Sequence, residues 1–83
     1  MLTIKILGSG CANCKRLEQE VKESLTGSSI EYEVIKVTDY DDIASYGILS
    51  TPGLVINDTV LSAGRIPKRQ QIIDWATQYQ SAQ

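Results

Sequence analysis

The chain has 83 residues, a formal net charge of −2, 42% apolar and 22% charged residues, and no histidine. That length allows one domain over residues 1–83 with a modest core, and the slightly acidic balance argues against nucleic acid as the partner. No apolar run approaches the roughly 18 residues of a membrane span, so no membrane partner is expected. The first strand-like run starts directly after Met1, which leaves no room for a leader, and a cytoplasmic location is the expectation.

Leu2 to Leu7, built around Ile4 and Ile6, reads as the first strand. Gly8-Ser9-Gly10 follows as a turn. From Cys14 the apolar positions Leu17, Val21 and Leu25 recur at helical spacing. Glu18 and Lys22 stand four apart on the solvated side, in the favourable order. Gly27-Ser28-Ser29 ends this helix. Ile30 to Val37 reads as a second strand, and its apolar residues on both faces suggest an interior or partly covered position. Thr38-Asp39 offers a cap for a short helix containing Ile43, Ala44 and Tyr46, with Asp41 and Asp42 favourable in its first turn and Gly47 closing it.

Leu54 to Ile56 and Val60 to Ala63 read as third and fourth strands. Asn57-Asp58 between them tolerates the left-handed conformation of a tight hairpin turn. After Gly64, Pro67 suits a first helical position. Ile72, Ile73, Ala76 and Tyr79 then make the inner face of a last helix, with the tail 80–83 fraying. The order is βαβ-α-ββα: an α/β fold with a four-stranded mixed sheet and three helices. The first two strands are parallel through a right-handed crossover, and the hairpin is antiparallel.

Cys11 and Cys14 are the chain's two cysteines, and they stand where the first strand hands over to the first helix. A Cys-x-x-Cys pair at that junction in a cytosolic α/β pattern reads as a redox site. Residues three apart on a helix share a face, so the sulfurs come within bonding reach. The unpaired N–H groups of the helix start favour an anion at the first of them. A purely structural staple is a poor use of so short a loop, since closing four residues removes only about 2 kcal/mol of chain entropy.

With Cys11-x-x-Cys14 and Thr51-Pro52 placed in this way, the chain resembles the small glutaredoxin-like thioredoxins of bacteria and archaea, proteins of the thioredoxin fold. The similarity runs over nearly the whole chain. It includes Gly8-Ser9-Gly10 and Lys15 around the cysteines, Leu17-Glu18, Val37-Thr38-Asp39, Tyr46-Gly47-Ile48, Ser50-Thr51-Pro52 and Ser62-Ala63-Gly64-Arg65-Ile66-Pro67. It departs from thioredoxins proper, which carry Trp before the first cysteine and Gly-Pro between the two. It departs also from glutaredoxins, which usually have Pro-Tyr there. Lys5 stands where thioredoxins place a buried acid.

The resemblance implies a cis bond before Pro52, a trans proline entering an edge strand being the plain alternative. It implies a Thr51 backbone turned outward, where a substrate segment adds as a strand. Gly10, Thr51, Pro52, Gly64 and Arg65 make up the expected substrate-binding set.

The expected activity is that of a protein disulfide oxidoreductase with no cofactor beyond the Cys11–Cys14 disulfide. Cys11 is the nucleophile that attacks a substrate disulfide, and Cys14 resolves the mixed disulfide. Lowering the Cys11 pKa from about 8.5 to about 7 raises its thiolate fraction roughly fifteenfold at neutral pH. The accompanying fall in nucleophilicity removes about fivefold, for a net gain near threefold. The helix terminus therefore mainly improves Cys11 as a leaving group, and the proximity of Cys14 supplies the larger advantage.

Expected partners are proteins with disulfides and a reductant, either a thioredoxin reductase or glutathione; the chain is expected to be monomeric. Lys5, Lys15 and Arg16 are the nearby cations that could stabilise thiolate, though an ordinary solvated charge is the favoured reading of each. Arg65, Lys68 and Arg69 could hold an anionic partner or be plain surface. Tyr32, Tyr40, Tyr46, Trp75 and Tyr79 are expected to be core or half-buried packing. Two other readings use the same cysteines: a Cu(I) metallochaperone, for which soft thiolates are apt, and a binding module whose disulfide switches a partner interface.

Overall fold

The computed structural model describes residues 2–8, 10, 12–48 and 50–81. Its elements are β1 (Leu2–Leu7), α1 (Ala12–Leu25), β2 (Tyr32–Val37), α2 (Tyr40–Ser45), β3 (Gly53–Ile56), β4 (Thr59–Ala63) and α3 (Arg69–Ser81). The sheet order is β2-β1-β3-β4. β1 and β2 are parallel, whereas β3 runs antiparallel to both β1 and β4. This is the mixed α/β sheet expected of the sequence.

Side-chain parity assigns the two faces. The register pairs Leu2 with Tyr32, Ile4 with Val34 and with Ile56, and Ile6 with Lys36 and with Leu54. These even-numbered positions share one face. Against it pack Leu17, Val21 and Leu25 of α1 and Ile72 and Ala76 of α3, forming the main core. On the other face Leu7 and Val55 meet Ile43 of α2 in a smaller core flanked by Val37, Tyr46, Ile48 and Val60. Every residue of β3 is buried, because helices cover both of its faces.

β2 lies at the edge of the sheet, so of the two positions that its apolar faces suggest, interior or partly covered, it takes the partly covered one. Tyr32 and Val34 are half-covered on the α1 side, but Ile35, on the other face, is 40% exposed. The reason is reach. α2 has six residues, which makes it about 9 Å long at the helical rise, and it covers Val37 but not Ile35. The strand also starts at Tyr32 rather than Ile30.

The punctuation is chemical. Asp39 caps α2 by accepting the Asp41 N–H at 2.8 Å, and the N–H of Gly47 (φ 78°) closes onto the Ala44 carbonyl at 2.9 Å. Asn57 and Asp58 both have positive φ (48° and 66°), which is the two-residue turn that matches strand twist. α3 begins two residues later than Pro67. Lys68 is its cap residue: the Lys68 N–H donates to Gln71 Oε1 at 3.1 Å, and the Lys68 carbonyl accepts from Ile72 at 3.1 Å. The expected fraying at Gln80 is not found there, since the helix continues to Ser81, while Ala82 and Gln83 lie outside the described residues.

Candidate functional site

Cys14 sits in the first turn of α1 and is 5% exposed. It is disulfide-bonded. Cys11, the chain's other cysteine, and Ser9 lie outside the described residues. Cys14 is held there because Gly8, at the end of β1, has no side chain. A methyl group built on Gly8 would collide with the Cys14 sulfur and come within 3.9 Å of Thr51 Cβ. Gly8 is thus the point at which the first strand, the first helix and the Thr51–Pro52 segment converge. Its N–H donates to the Val37 carbonyl at 2.9 Å, which ties the same point to the end of β2.

The Thr51–Pro52 peptide is cis, with Thr51 exposed and Pro52 buried. The Pro52 carbonyl accepts the Gly64 N–H at 2.9 Å. Thr51, Pro52, Gly64 and Arg65 are therefore neighbours at one end of the sheet, and Arg65 is exposed. Gly10, exposed with φ 88°, borders the same region by lining a small cavity at Cys14. A larger cavity of about 440 Å³ also reaches Thr51 and is lined by Tyr40, Ile43 and Ala44 of α2 with Ile48 and Ser50. Tyr40 is 81% exposed there, against the expectation that it packs into the body of the fold; it is the first residue of α2, at the open end of that short helix.

The cations divide. Lys5 does not serve the sulfurs. Its odd-numbered position puts it on the α2 face, where Nζ donates to the Tyr46 hydroxyl at 2.9 Å, meets Asp58 at 3.4 Å and lies 5.6 Å from the Tyr46 ring centre. Those contacts, Tyr46 first, raise its pKa above the ordinary lysine value, with burial opposing. Arg69 is not held out for an anionic partner either. Nε binds Glu20 at 2.8 Å and Nη2 binds Glu23 at 2.6 Å, clamping α3 to α1. Lys15, Arg16 and Lys68 are exposed.

Two residues near Cys14 escape a reading of sequence alone. Glu18 and Lys36 line the cavity of about 60 Å³ beside Cys14, with Gly8, Gly10 and Thr38. Glu18 is not on a fully solvated side: its side chain is 15% exposed, and its two oxygens bind Lys36 at 3.1 Å and Lys22 at 3.0 Å. The Lys22 hydrogen bond chiefly, and Lys36 after it, lower the Glu18 pKa against the opposing effect of burial. The available signals were a carboxylate four residues after Cys14 and a lysine in phase with Tyr32 and Val34.

Among the described residues no cluster of three or more metal-ligating side chains occurs, and no helix is long and apolar enough to cross a membrane.

The thioredoxin domain family model matches residues 2–77. A thioredoxin of Methanocaldococcus jannaschii is 35% identical over 72 residues, covering 87% of this chain and 83% of that protein. A thioredoxin of Methanothermobacter thermautotrophicus is 33% identical over 72 residues, covering 87% of this chain and 94% of its own length.

Proposed function

The chain belongs to the thioredoxin family of disulfide oxidoreductases, and from that premise we propose that Cys11 and Cys14 form its working dithiol, exchanging electrons with disulfides of partner proteins. The Cys11 thiolate attacks one sulfur of a substrate disulfide, and the other substrate sulfur leaves as a thiolate. Cys14 then attacks the Cys11 sulfur of the mixed disulfide. The internal disulfide forms, and the reduced substrate departs with the electron pair. Thr51 is exposed beside Gly8, against which Cys14 also packs, and an extended substrate segment can lie against it, with Gly10, Pro52, Gly64 and Arg65 bordering it. A reductase or glutathione of a reducing cytoplasm returns the electrons, and no further cofactor takes part.

The observation that carries this reading is Cys14. It is buried, disulfide-bonded and packed against Gly8 in the first turn of α1, in a chain with one other cysteine. A structural staple does not require that position beside exposed Thr51. A resolving thiol does, because it has to meet Cys11 while a substrate is attached and has to be shielded from other disulfides.

The test is reduction of insulin disulfides driven by dithiothreitol. The wild-type chain accelerates it over many turnovers. Cys11→Ser abolishes the acceleration, and Cys14→Ser accumulates a mixed disulfide visible by mass spectrometry. Multiple turnover by Cys14→Ser on protein disulfides would overturn the assignment. Presenting the oxidised protein separately with glutathione and with a flavin-dependent thioredoxin reductase identifies the electron donor.

A further inference from the structure

Resolution of a mixed disulfide needs the second cysteine as a thiolate, yet the sequence has no histidine to receive its proton. Cys14 is also nearly covered, and burial by itself disfavours the thiolate. The charges around it therefore decide how readily it ionises. Among the described residues they come from two elements. On its own helix, Lys15 and Glu18 line the cavity at Cys14, and Lys22 binds one oxygen of Glu18. From β2, Lys36 lines the same cavity and binds the other oxygen at 3.1 Å. β1 contributes Ile6 and Gly8 to the lining and no charge. Lys5 is turned to the opposite face and held by Tyr46 and Asp58.

Resting on the dithiol reading above, we propose that the Glu18–Lys36 pair sets the ionisation of Cys14, and through it the pH at which the mixed disulfide is resolved. Both are positioning residues, since they act through Cys14 and touch no substrate. The Cys14 thiol loses its proton to solvent. The thiolate attacks the Cys11 sulfur, the Cys11–Cys14 bond forms, the bond from Cys11 to the substrate sulfur breaks, and that sulfur takes the electron pair and then a proton. Glu18, four residues along α1 and so about 6 Å away on the same face, opposes thiolate formation. Lys36 neutralises that carboxylate from the neighbouring strand. Glu18 is strongly paired and its pKa is lowered, so it stays charged across the working range and acts as a fixed charge.

The two partners have opposite signs, and a merely structural pair would not. In a Cys11→Ser background, where Cys14 is the remaining thiol, thiolate absorbance in the ultraviolet is followed against pH. Glu18→Gln is expected to lower the Cys14 pKa by about half a unit to one unit, the size of a unit charge at that distance in a half-screened site. Lys36→Met is expected to raise it by a smaller amount, because Lys36 is the more solvated partner. Lys36→Arg keeps the charge and is expected to restore the wild-type value. In the two-cysteine protein, the pH midpoint of single-turnover resolution should move with each titration.

Shifts under about 0.2 unit in both variants, or shifts of the same sign in folded protein, would overturn the proposal. Should Glu18→Gln fail to fold, the Lys36→Met and Lys36→Arg pair decides alone. The outcomes also separate the two readings. A wild-type chain without turnover sinks the dithiol exchange, whereas normal turnover with unmoved titrations sinks only this inference.

Discussion

At Gly8 a missing side chain makes the room that the site needs. The residue directly follows β1, and the space that its Cβ would fill holds the Cys14 sulfur. Gly8→Ala is therefore expected to push α1 off the end of the strand, at a cost of about 1–3 kcal/mol for overpacking. Denaturant unfolding reads the stability. Gel-shift alkylation in a glutathione buffer of fixed ratio should show a smaller oxidised fraction. An unchanged protein on both measures would mean that the sulfur does not pack there. Lys5 gives the contrasting case. Sequence position makes it a neighbour of the cysteines, but strand alternation turns it to the α2 face, toward Tyr46 and Asp58. Lys5→Met should leave the insulin reduction rate unchanged, and a loss of more than about threefold would contradict the face assignment, since exposed charges act over no more than about a Debye length.

At the level of elements, charges that look available in the sequence are spent within the chain. Arg69 opposes the dipole at the start of α3, and the cost is offset because Glu20 and Glu23 of α1 reach it. That contact lowers the Glu20 pKa, with the Arg69 hydrogen bond as the main cause. A carboxylate with a lowered folded pKa stabilises above its unfolded pKa and loses that contribution as pH falls through the folded value. Arg69→Ala should therefore lower the melting temperature at neutral pH and low salt, less at high salt. The difference from wild type should shrink as pH falls through the lowered Glu20 value and vanish once that carboxylate is protonated. A difference that persists in acid would assign the effect to packing of the arginine stem. The exposure of Ile35 is also an element-scale result: strand composition records how apolar a segment is, whereas the length of the helix opposite decides which of those residues it covers.

Over the whole molecule two cores lie on either side of one sheet, and the site sits at one end of it, where β1 and β2 end and α1 begins. Ligands of open α/β sheets commonly meet the chain at the carboxyl ends of strands. Leu17, fully buried one turn after Cys14, links the main core to the site. Leu17→Ala is expected to cost 2–5 kcal/mol by chemical denaturation, as for other leucines truncated in packed interiors. A loss below about 1 kcal/mol would mean that α1 is not seated on the sheet through this residue. Most of this architecture is legible in order of sequence, because periodicity of two and of about 3.6 is a local property of the chain. Spacing alone assigns Leu17, Val21 and Leu25 to one inner helix face and Ile72, Ile73, Ala76 and Tyr79 to another, and all are buried except Ile73 and Tyr79, which are partly covered.

By itself the sequence determined the elements, their punctuation and the Cys11-x-x-Cys14 pair, since each rests on residues close together in the chain. Asp39, Gly47 and Asn57-Asp58 act through bonds and dihedral angles that span a few residues. Only the tertiary structure decided that β2 is an edge strand, that Lys5 and Arg69 are engaged elsewhere, and that Glu18 and Lys36 stand beside Cys14. Those facts depend on which strands pair and which face each side chain takes. A one-residue change of strand register reverses that face, and no property of a lysine in isolation says whether its partner lies four residues away or across the sheet.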